Sequence, residues 1–253
     1  MTISRTQYKM LAARKSSIIV GISGATCSGK TTIANTLHKV IKNSILLNQD
    51  QFYWEEDSEK HILAEGMNHI NWEVVSAFDN DKLLSIIKTN GIRNKTSRMN
   101  INCDSISKNF NAITDEISNM PNMTAFFEEN NQEQAELKEL QQTFLNFPQI
   151  IIVDGILVLN HPEIVDQCDI KFFLTLDFKT CLKRRDLRTY DPPDVPGYFE
   201  KIVYPHYVQN LETMKYLDGD NKILYLDGAN DIMTNFKMIV SEIIKKAEKI
   251  NDS

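Results

Sequence analysis

The chain has 253 residues, 42% of them hydrophobic and 25% charged, with a formal net charge of -6. That length and apolar share suit a single sizeable core, and the acidic balance excludes a general nucleic-acid binder, whose affinity comes from Lys and Arg neutralising several phosphates. The four cysteines, Cys27, Cys103, Cys168 and Cys181, lack the short paired spacings of zinc sites and redox motifs. No apolar run approaches the roughly 18 residues needed to span a bilayer. A reduced, cytoplasmic protein with no membrane attachment is expected. Met1 to Lys15 carry Arg5, Lys9, Arg14 and Lys15 and no acid, so residues 1–16 read as a basic tail, although the composition also suits a mitochondrial leader.

Ile18 to Ile22 predicts a short buried strand. The next residues, Gly24-Ala25-Thr26-Cys27-Ser28-Gly29-Lys30-Thr31, fit Gly-x-x-x-x-Gly-Lys-Ser/Thr at every fixed position, and Thr32 to Ile41 then set Ile33, Leu37, Val40 and Ile41 on one helical face. Strand, Gly-rich loop and helix are the parts of a phosphate-binding loop. Backbone N–H groups from Gly24 to Thr32 would wrap the phosphates of ATP. Lys30 would reach the β- and γ-phosphates, and the Thr31 hydroxyl would ligate Mg²⁺.

Four further apolar runs read as strands: Ser44 to Leu47, Gln149 to Val153, Ile170 to Leu176 and Lys222 to Leu226. Helical patterns lie between them, the last from about Asp231 to Lys249. The alternation predicts an α/β fold, a doubly wound five-stranded parallel sheet of the nucleoside monophosphate kinase type, with ligands beyond the carboxyl ends of its strands. Asp50, Asp154 and Asp227 are expected just past three such ends. A carboxylate at Asp50 can accept a proton from an alcohol or hold Mg²⁺. Asp154 closes a strand that is apolar throughout, as a Walker B carboxylate does, and the sequence leaves the division of roles between the two open.

Gly91 to Pro148 breaks the rhythm. It is polar and Asn-rich and reads as an inserted lid or helical segment (91–148) within a kinase domain of residues 17–253, with one helix near Glu128 to Leu145 turning Leu137, Leu140 and Phe144 inward.

A second charged cluster, Lys183-Arg184-Arg185-Asp186-Leu187-Arg188, falls in a helix expected to start near Phe178. At 100° per residue Arg184 and Arg188 share one face and Arg185 takes another, so the helix can serve two anionic or polar targets with guanidinium forks. Asp191-Pro192-Pro193-Asp194-Val195-Pro196-Gly197 cannot be helical and predicts a stiff extended loop able to close over a substrate. Tyr53, Trp72 and Tyr190 are flat side chains of the kind that stack on flat, cationic rings.

Taken together, Arg-Arg-x-x-Arg, then Tyr190-Asp191-Pro192-Pro193-Asp194-x-Pro196-Gly197-Tyr198-Phe199 and Val203-Tyr204-Pro205-x-Tyr207, resemble nicotinamide riboside kinases. With the phosphate loop, Gln49-Asp50-x-Phe52, Trp72, Asp154-Gly155 and Tyr225-Leu226-Asp227-Gly228, the resemblance runs from Ser17 to about Ile244, outside the 91–148 segment. It implies transfer of the γ-phosphate of ATP, with Mg²⁺, to the 5′-hydroxyl of a small-molecule substrate, nicotinamide riboside. Asp50, Lys30 and Arg185 would carry the chemistry, Asp50 as proton acceptor, and Thr31, Asp50 and Asp154 would take the metal. Trp72 and Tyr190 would sandwich the pyridinium ring beside Tyr53. Arg185 would hold the ribose hydroxyls, Arg184 and Arg188 the ATP, and Asn230, Asp231 and Ile232 the adenine.

Two positions depart from the family pattern. Glu73 stands where the family holds the ribose with Asp. Asp191 stands beside the base where an amide is usual, and a carboxylate there would favour a carboxamide substrate over a carboxylate one. A uridine or cytidine kinase, or a nucleotide-binding interaction protein acting through the 91–148 segment, are the alternatives.

Overall fold

The computed structural model describes residues 17–91, 131–218 and 222–251. The N-terminal tail and the 92–130 part of the inserted segment lie outside these. Five parallel strands, β1 (Ser17–Gly24), β2 (Ser44–Asn48), β3 (Gln149–Asp154), β4 (Ile170–Thr175) and β5 (Ile223–Asp227), form one sheet in the order β2-β3-β1-β4-β5. The described α-helices are α1 (Lys30–Val40), α2 (Asn80–Gly91), α3 (Asn131–Leu145), α4 (Pro162–Gln167), α5 (Phe178–Arg185), α6 (Tyr204–Leu217) and α7 (Ile232–Asn251). No described helix is long and apolar enough to cross a membrane.

Alternation along β1 decides which helices cover which face, because successive side chains point to opposite sides of a strand. Ile18, Val20 and Ile22 join Ile150, Ile152, Phe172 and Leu174 under Ile33 and Leu37 of α1 and Phe236, Ile239 and Ile243 of α7. Ile19, Ile151, Val153 and Phe173 face the other way, onto Leu83 and Ile87 of α2, Ile164 of α4 and Tyr207 of α6. Each buried aliphatic side chain contributes about 1.5–3 kcal/mol. With apolar layers on both faces, the central strands have near-continuous hydrophobic runs and the expected doubly wound fold follows.

Register sets the site. Asp154 pairs with Ile22 of β1 and with Asn48 of β2, so it lies close to the carboxyl ends of all three strands, between β1, whose connection runs to β2 at one edge, and β3, whose connection crosses to β4 on the other side. β1, β2 and β3 run slightly longer than their apolar runs and β5 is shifted one residue onward, because ladder pairing continues through polar residues. Asp154 and Asp227 are therefore the last residues of β3 and β5, where the sequence predicts them just beyond.

One further expectation is borne out and one is corrected. The helix of the inserted segment is α3, and it lies in the body of the molecule: Phe144 is buried and Leu137 and Leu140 pack beside it in the cluster that α1 and α7 cover. Its apolar stripe is satisfied by the sheet layer, which removes this part of the segment from any lid. Helix α5 stops at Arg185, short of Arg188, because the chain leaves the helix in a turn at Asp186 and Leu187; Pro192 bars helix only from about Asp191 onward.

Candidate active site

The phosphate loop is shaped by close approach and by left-handed backbone. Gly24 has φ 132°, and a Cβ there would collide with the backbone of Leu174 in β4. Ala25 then donates its N–H to the Leu174 carbonyl at 2.9 Å, and Gly29, at φ 93°, accepts the first α1 hydrogen bond from Ile33 at 3.0 Å. Between them Cys27 holds φ 59°, a conformation that costs a residue with a Cβ about 1 kcal/mol. The winding brings the first turn of α1, whose N–H groups have no carbonyl inside the helix, to the rim of the loop. Thr26, Cys27, Ser28, Gly29, Lys30, Thr31 and Thr32 line one cleft together with Asp50, Gly155, Ile156 and Arg188. Lys30 is buried and donates to the Ala25 carbonyl at 2.5 Å. Burial lowers its pKa, against the pull of Asp154 and Asp50.

Asp50 follows β2 in a single 3-10 turn, Gln49–Phe52, capped by Asn48, whose side-chain oxygen accepts the Asp50 N–H at 2.9 Å. Gln49 is wholly buried and accepts the Leu157 N–H at 2.9 Å, which ties this turn to the exit of β3. Gly155 leaves the room, since a Cβ there would run into the Gln49 side chain. Asp50 stands open in the cleft. Its protein walls raise its pKa, opposed by Lys30 and Arg188.

Asp154, in contrast, is 1% exposed, and neither of its carboxylate oxygens has a hydrogen-bond partner. Burial raises its pKa to about 7, opposed first by Lys30; the Thr31 hydroxyl sits close by without completing a bond to it. A buried, unpartnered carboxylate beside a hydroxyl and a second carboxylate is the oxygen donor set that Mg²⁺ takes, so Thr31, Asp50 and Asp154 fit that ion.

The three arginines go three ways. Asp177 caps α5, accepting the Thr180 N–H at 3.0 Å, and the basic residues fall in its last turn, where the helix dipole favours them. Arg184 donates to the carbonyls of Cys27 at 3.1 Å and Gly228 at 2.9 Å. Arg185, buried, forms a two-point pair with Asp194, Nε to Oδ2 at 2.6 Å and Nη2 to Oδ1 at 2.9 Å. Its Nη1 donates to Thr26 Oγ1 at 3.3 Å, and the guanidinium carbon lies 4.2 Å from the centre of the Tyr190 ring. Arg188 enters the cleft from the turn after α5, its N–H bonded to the Arg185 carbonyl at 2.9 Å. A shared Arg184–Arg188 helix face is thus replaced by a helix residue pinned to backbone and a turn residue facing Asp50.

Aromatic side chains build the adjoining wall. Tyr53 stacks on Phe78 at 4.1 Å and meets Trp72 edge-on at 5.2 Å, with its hydroxyl toward the Trp72 carbonyl at 3.5 Å. Burial holds this phenol far above its ordinary pKa, so Tyr53 is a neutral brace behind Trp72. The Trp72 N–H donates to the Tyr198 hydroxyl at 3.0 Å. Tyr190 reaches the phosphate loop, its hydroxyl 3.6 Å from Cys27 Sγ; among the described residues no ring contact joins it to Trp72. Next to Trp72, Glu73 is 9% exposed, and its carboxyl is pushed up to about 7 by burial, against Arg185 and Lys30. Asp191 is exposed on the loop just past Tyr190.

On the far side of the phosphate loop, Gly228 packs against Ser28 too tightly for a Cβ, and Ile232 sits beside Gly29. Asn230 donates its N–H to the Asp227 carbonyl at 3.2 Å, and Asp231 caps α7 by accepting the Thr234 N–H at 3.1 Å. The 230–232 turn therefore borders the loop, with Asp231 committed to the helix. Gln49 and Asp194, which hold the turn of Asp50 and the guanidinium of Arg185, have no assigned role in the sequence reading. Their signal there is position alone, one beside Asp50 and the other between prolines.

A phosphate loop, Asp154 at the end of β3, Asp50 just past β2 and a five-stranded parallel sheet make this chain a P-loop kinase. No protein-family model matches it. Nicotinamide riboside kinase 1 of Homo sapiens is 29% identical over 208 residues, 79% of this chain and 83% of that protein. Nicotinamide riboside kinase of Schizosaccharomyces pombe is 27% identical over 251 residues, 92% of this chain and 95% of its own. The resemblance carried by Lys183 to Tyr207 is borne out by these relatives. Among solved structures, a possible uridine kinase from Bacillus stearothermophilus aligns at 15% identity and TM-score 0.42, covering 85% of this chain and 94% of its own.

Proposed function

We propose that the chain transfers the γ-phosphoryl group of ATP to the 5′-hydroxyl of nicotinamide riboside, giving the mononucleotide for NAD salvage. The observation that carries this reading is the position of Arg185: one N–H lies on Thr26 of the phosphate loop while the guanidinium faces Tyr190, so a single side chain adjoins both the phosphate and the nucleoside sides of the cleft.

Thr31, Asp50 and Asp154 would hold Mg²⁺, which supplies charge neutralisation on the β- and γ-phosphate oxygens when bound. Lys30 leaves the Ala25 carbonyl for the same oxygens and adds a positive charge where the transition state spreads negative charge. Asp50, open in the cleft, accepts the proton of the attacking hydroxyl. Trp72 and Tyr190 bind the pyridinium ring, whose positive charge is attracted to aromatic faces by about 0.5–2 kcal/mol. Glu73 and the two Arg185 N–H groups left over from Asp194 and Thr26 suit the ribose hydroxyls as acceptor and donors. Arg188 faces the phosphates, Arg184 holds the loop that cradles them, and residues 230–232 border the adenine. Residues 17–253 form the catalytic unit, with 91–148 inserted in it.

The test is Mg²⁺-ATP-dependent phosphorylation of nicotinamide riboside, nicotinic acid riboside, uridine and cytidine in parallel. Turnover on pyridine ribosides, lost by at least a hundredfold in Asp50→Asn with nucleotide binding retained, is the expected result. Preference for uridine or cytidine overturns the substrate and keeps the reaction class.

A further inference from the structure

Arg185 is 7% exposed, and a buried guanidinium needs a partner charge. Asp194 supplies it through the fork of two short bonds at 2.6 and 2.9 Å, while its own side chain remains 29% exposed at the edge of the loop. A planar guanidinium held at two points has its plane fixed as well as its position. With Nε and Nη2 on Asp194, only Nη1 faces Thr26 at 3.3 Å, and the flat face is turned to Tyr190.

The loop that carries Asp194 is stiff. Pro192, Pro193 and Pro196 fix their own φ angles, and the loop closes where the Tyr198 N–H donates to the Val195 carbonyl at 3.0 Å. Tyr198 is 1% exposed, and its hydroxyl holds the Trp72 N–H. One rigid segment therefore sets Tyr190, Asp194 and, through Tyr198, the backbone of Trp72.

We propose that Asp194 is a positioning residue for phosphoryl transfer: its carboxylate orients the Arg185 guanidinium so that one edge serves the phosphate loop at Thr26 and the remaining N–H groups serve the nucleoside beside Glu73. Asp194 touches neither substrate; it acts through Arg185. The same pairing settles how Lys183, Arg184, Arg185 and Arg188 coexist without bound phosphate, since the one member that is buried is neutralised within the protein. Glu73, lifted by Asp194 and lowered by Arg185, feels both partners.

The inference rests on the kinase reading above, and two measurements on the full chain separate the two. In ¹⁵N-arginine-labelled protein, the Arg185 Nε–H resonance, identified by its loss in Arg185→Lys, is expected to be sharp and slow to exchange. It is expected to broaden or vanish in Asp194→Asn while the thermal transition stays cooperative. This readout needs no substrate. The second measurement is a double-mutant cycle on whichever of the four nucleosides the wild-type chain phosphorylates. Asp194→Asn should lower kcat/KM at least tenfold, and adding it to Arg185→Lys should cost less than threefold more.

An Asp194→Asn chain with an unchanged Arg185 resonance, or within twofold of wild-type activity, overturns the proposal, as do losses that multiply across the cycle. If no nucleoside is turned over by the wild type, the function reading fails and the resonance alone decides the positioning role. Asp194→Glu, which keeps the charge and shifts it by one methylene, should recover part of both signals.

Discussion

Glu73 is the residue whose charge state the fold has moved furthest into the physiological range within the aromatic wall beside Trp72. Its ordinary value of 4.5 rises to about 7, burial being the main cause. The folded chain thus binds this proton more tightly than the unfolded one. The stability it contributes is complete below about pH 4.5 and is lost as pH rises through 7. Denaturant unfolding of Glu73→Gln should therefore show a gain relative to wild type between pH 5 and pH 8, of the order of 2 kcal/mol. In the proposed reaction, riboside binding runs the opposite way. A carboxylate accepts from ribose hydroxyls and a neutral carboxyl does so poorly, so KM for the riboside should fall as pH goes from 6 to 8 in wild type and stay flat in Glu73→Gln. Parallel KM profiles in the two proteins would remove Glu73 from the binding site. Asp50 and its neighbour Asp154 differ in openness: one stands in the cleft, the other is buried without a partner. The sequence presents both as Asp near a strand end and leaves their roles open, because exposure at a strand end depends on what the next turn covers.

Among the elements, the loop between β5 and α7 is held to the phosphate loop by Arg184 through two carbonyls, Cys27 and Gly228. Such charge-assisted bonds contribute about 1.5–3 kcal/mol each when buried and less where solvent competes. Arg184→Gln, which keeps length and one donor group, should raise KM for ATP about tenfold and leave KM for the nucleoside within twofold. Titration of ATP against the unliganded chain checks this directly. A rise in nucleoside KM instead would assign Arg184 to the other side of the cleft. The legible part of these elements was the part with a period: five apolar runs gave five strands, and Ile33, Leu37, Val40 and Ile41 lie in the core as their helical spacing requires. Arg188 was not legible, since its place follows from where α5 stops, and the residues from Arg185 to Tyr190 carry no proline or glycine to mark that stop. Asp194 was visible as a residue and silent as a partner. A bidentate pair nine positions apart has no periodic signature.

At the scale of the molecule, the inserted segment has two parts with different bearings on function. Its helix α3 belongs to the core: Phe144 is 3% exposed and stacks edge-on against Phe147 at 5.5 Å, in the layer that supports β3 and hence Asp154. Phe144→Ala should cost about 3–5 kcal/mol of stability by leaving a cavity and should leave KM for both substrates unchanged, since that layer lies beneath the strands and the cleft lies at their ends. The preceding end of the segment is also tied down, with the Ser17 hydroxyl donating to the Gly91 carbonyl at 3.2 Å at the start of β1. Both attachments are thus on the body, and neither Gly91 nor α3 lines the clefts around Lys30 and Arg185. Replacing residues 92–130 by a flexible linker of about twenty residues, which spans roughly 25 Å, should keep kcat and both KM values within threefold. If turnover collapses while the thermal transition stays cooperative, the replaced residues take part in the catalytic cycle and the body described here is not sufficient for phosphoryl transfer.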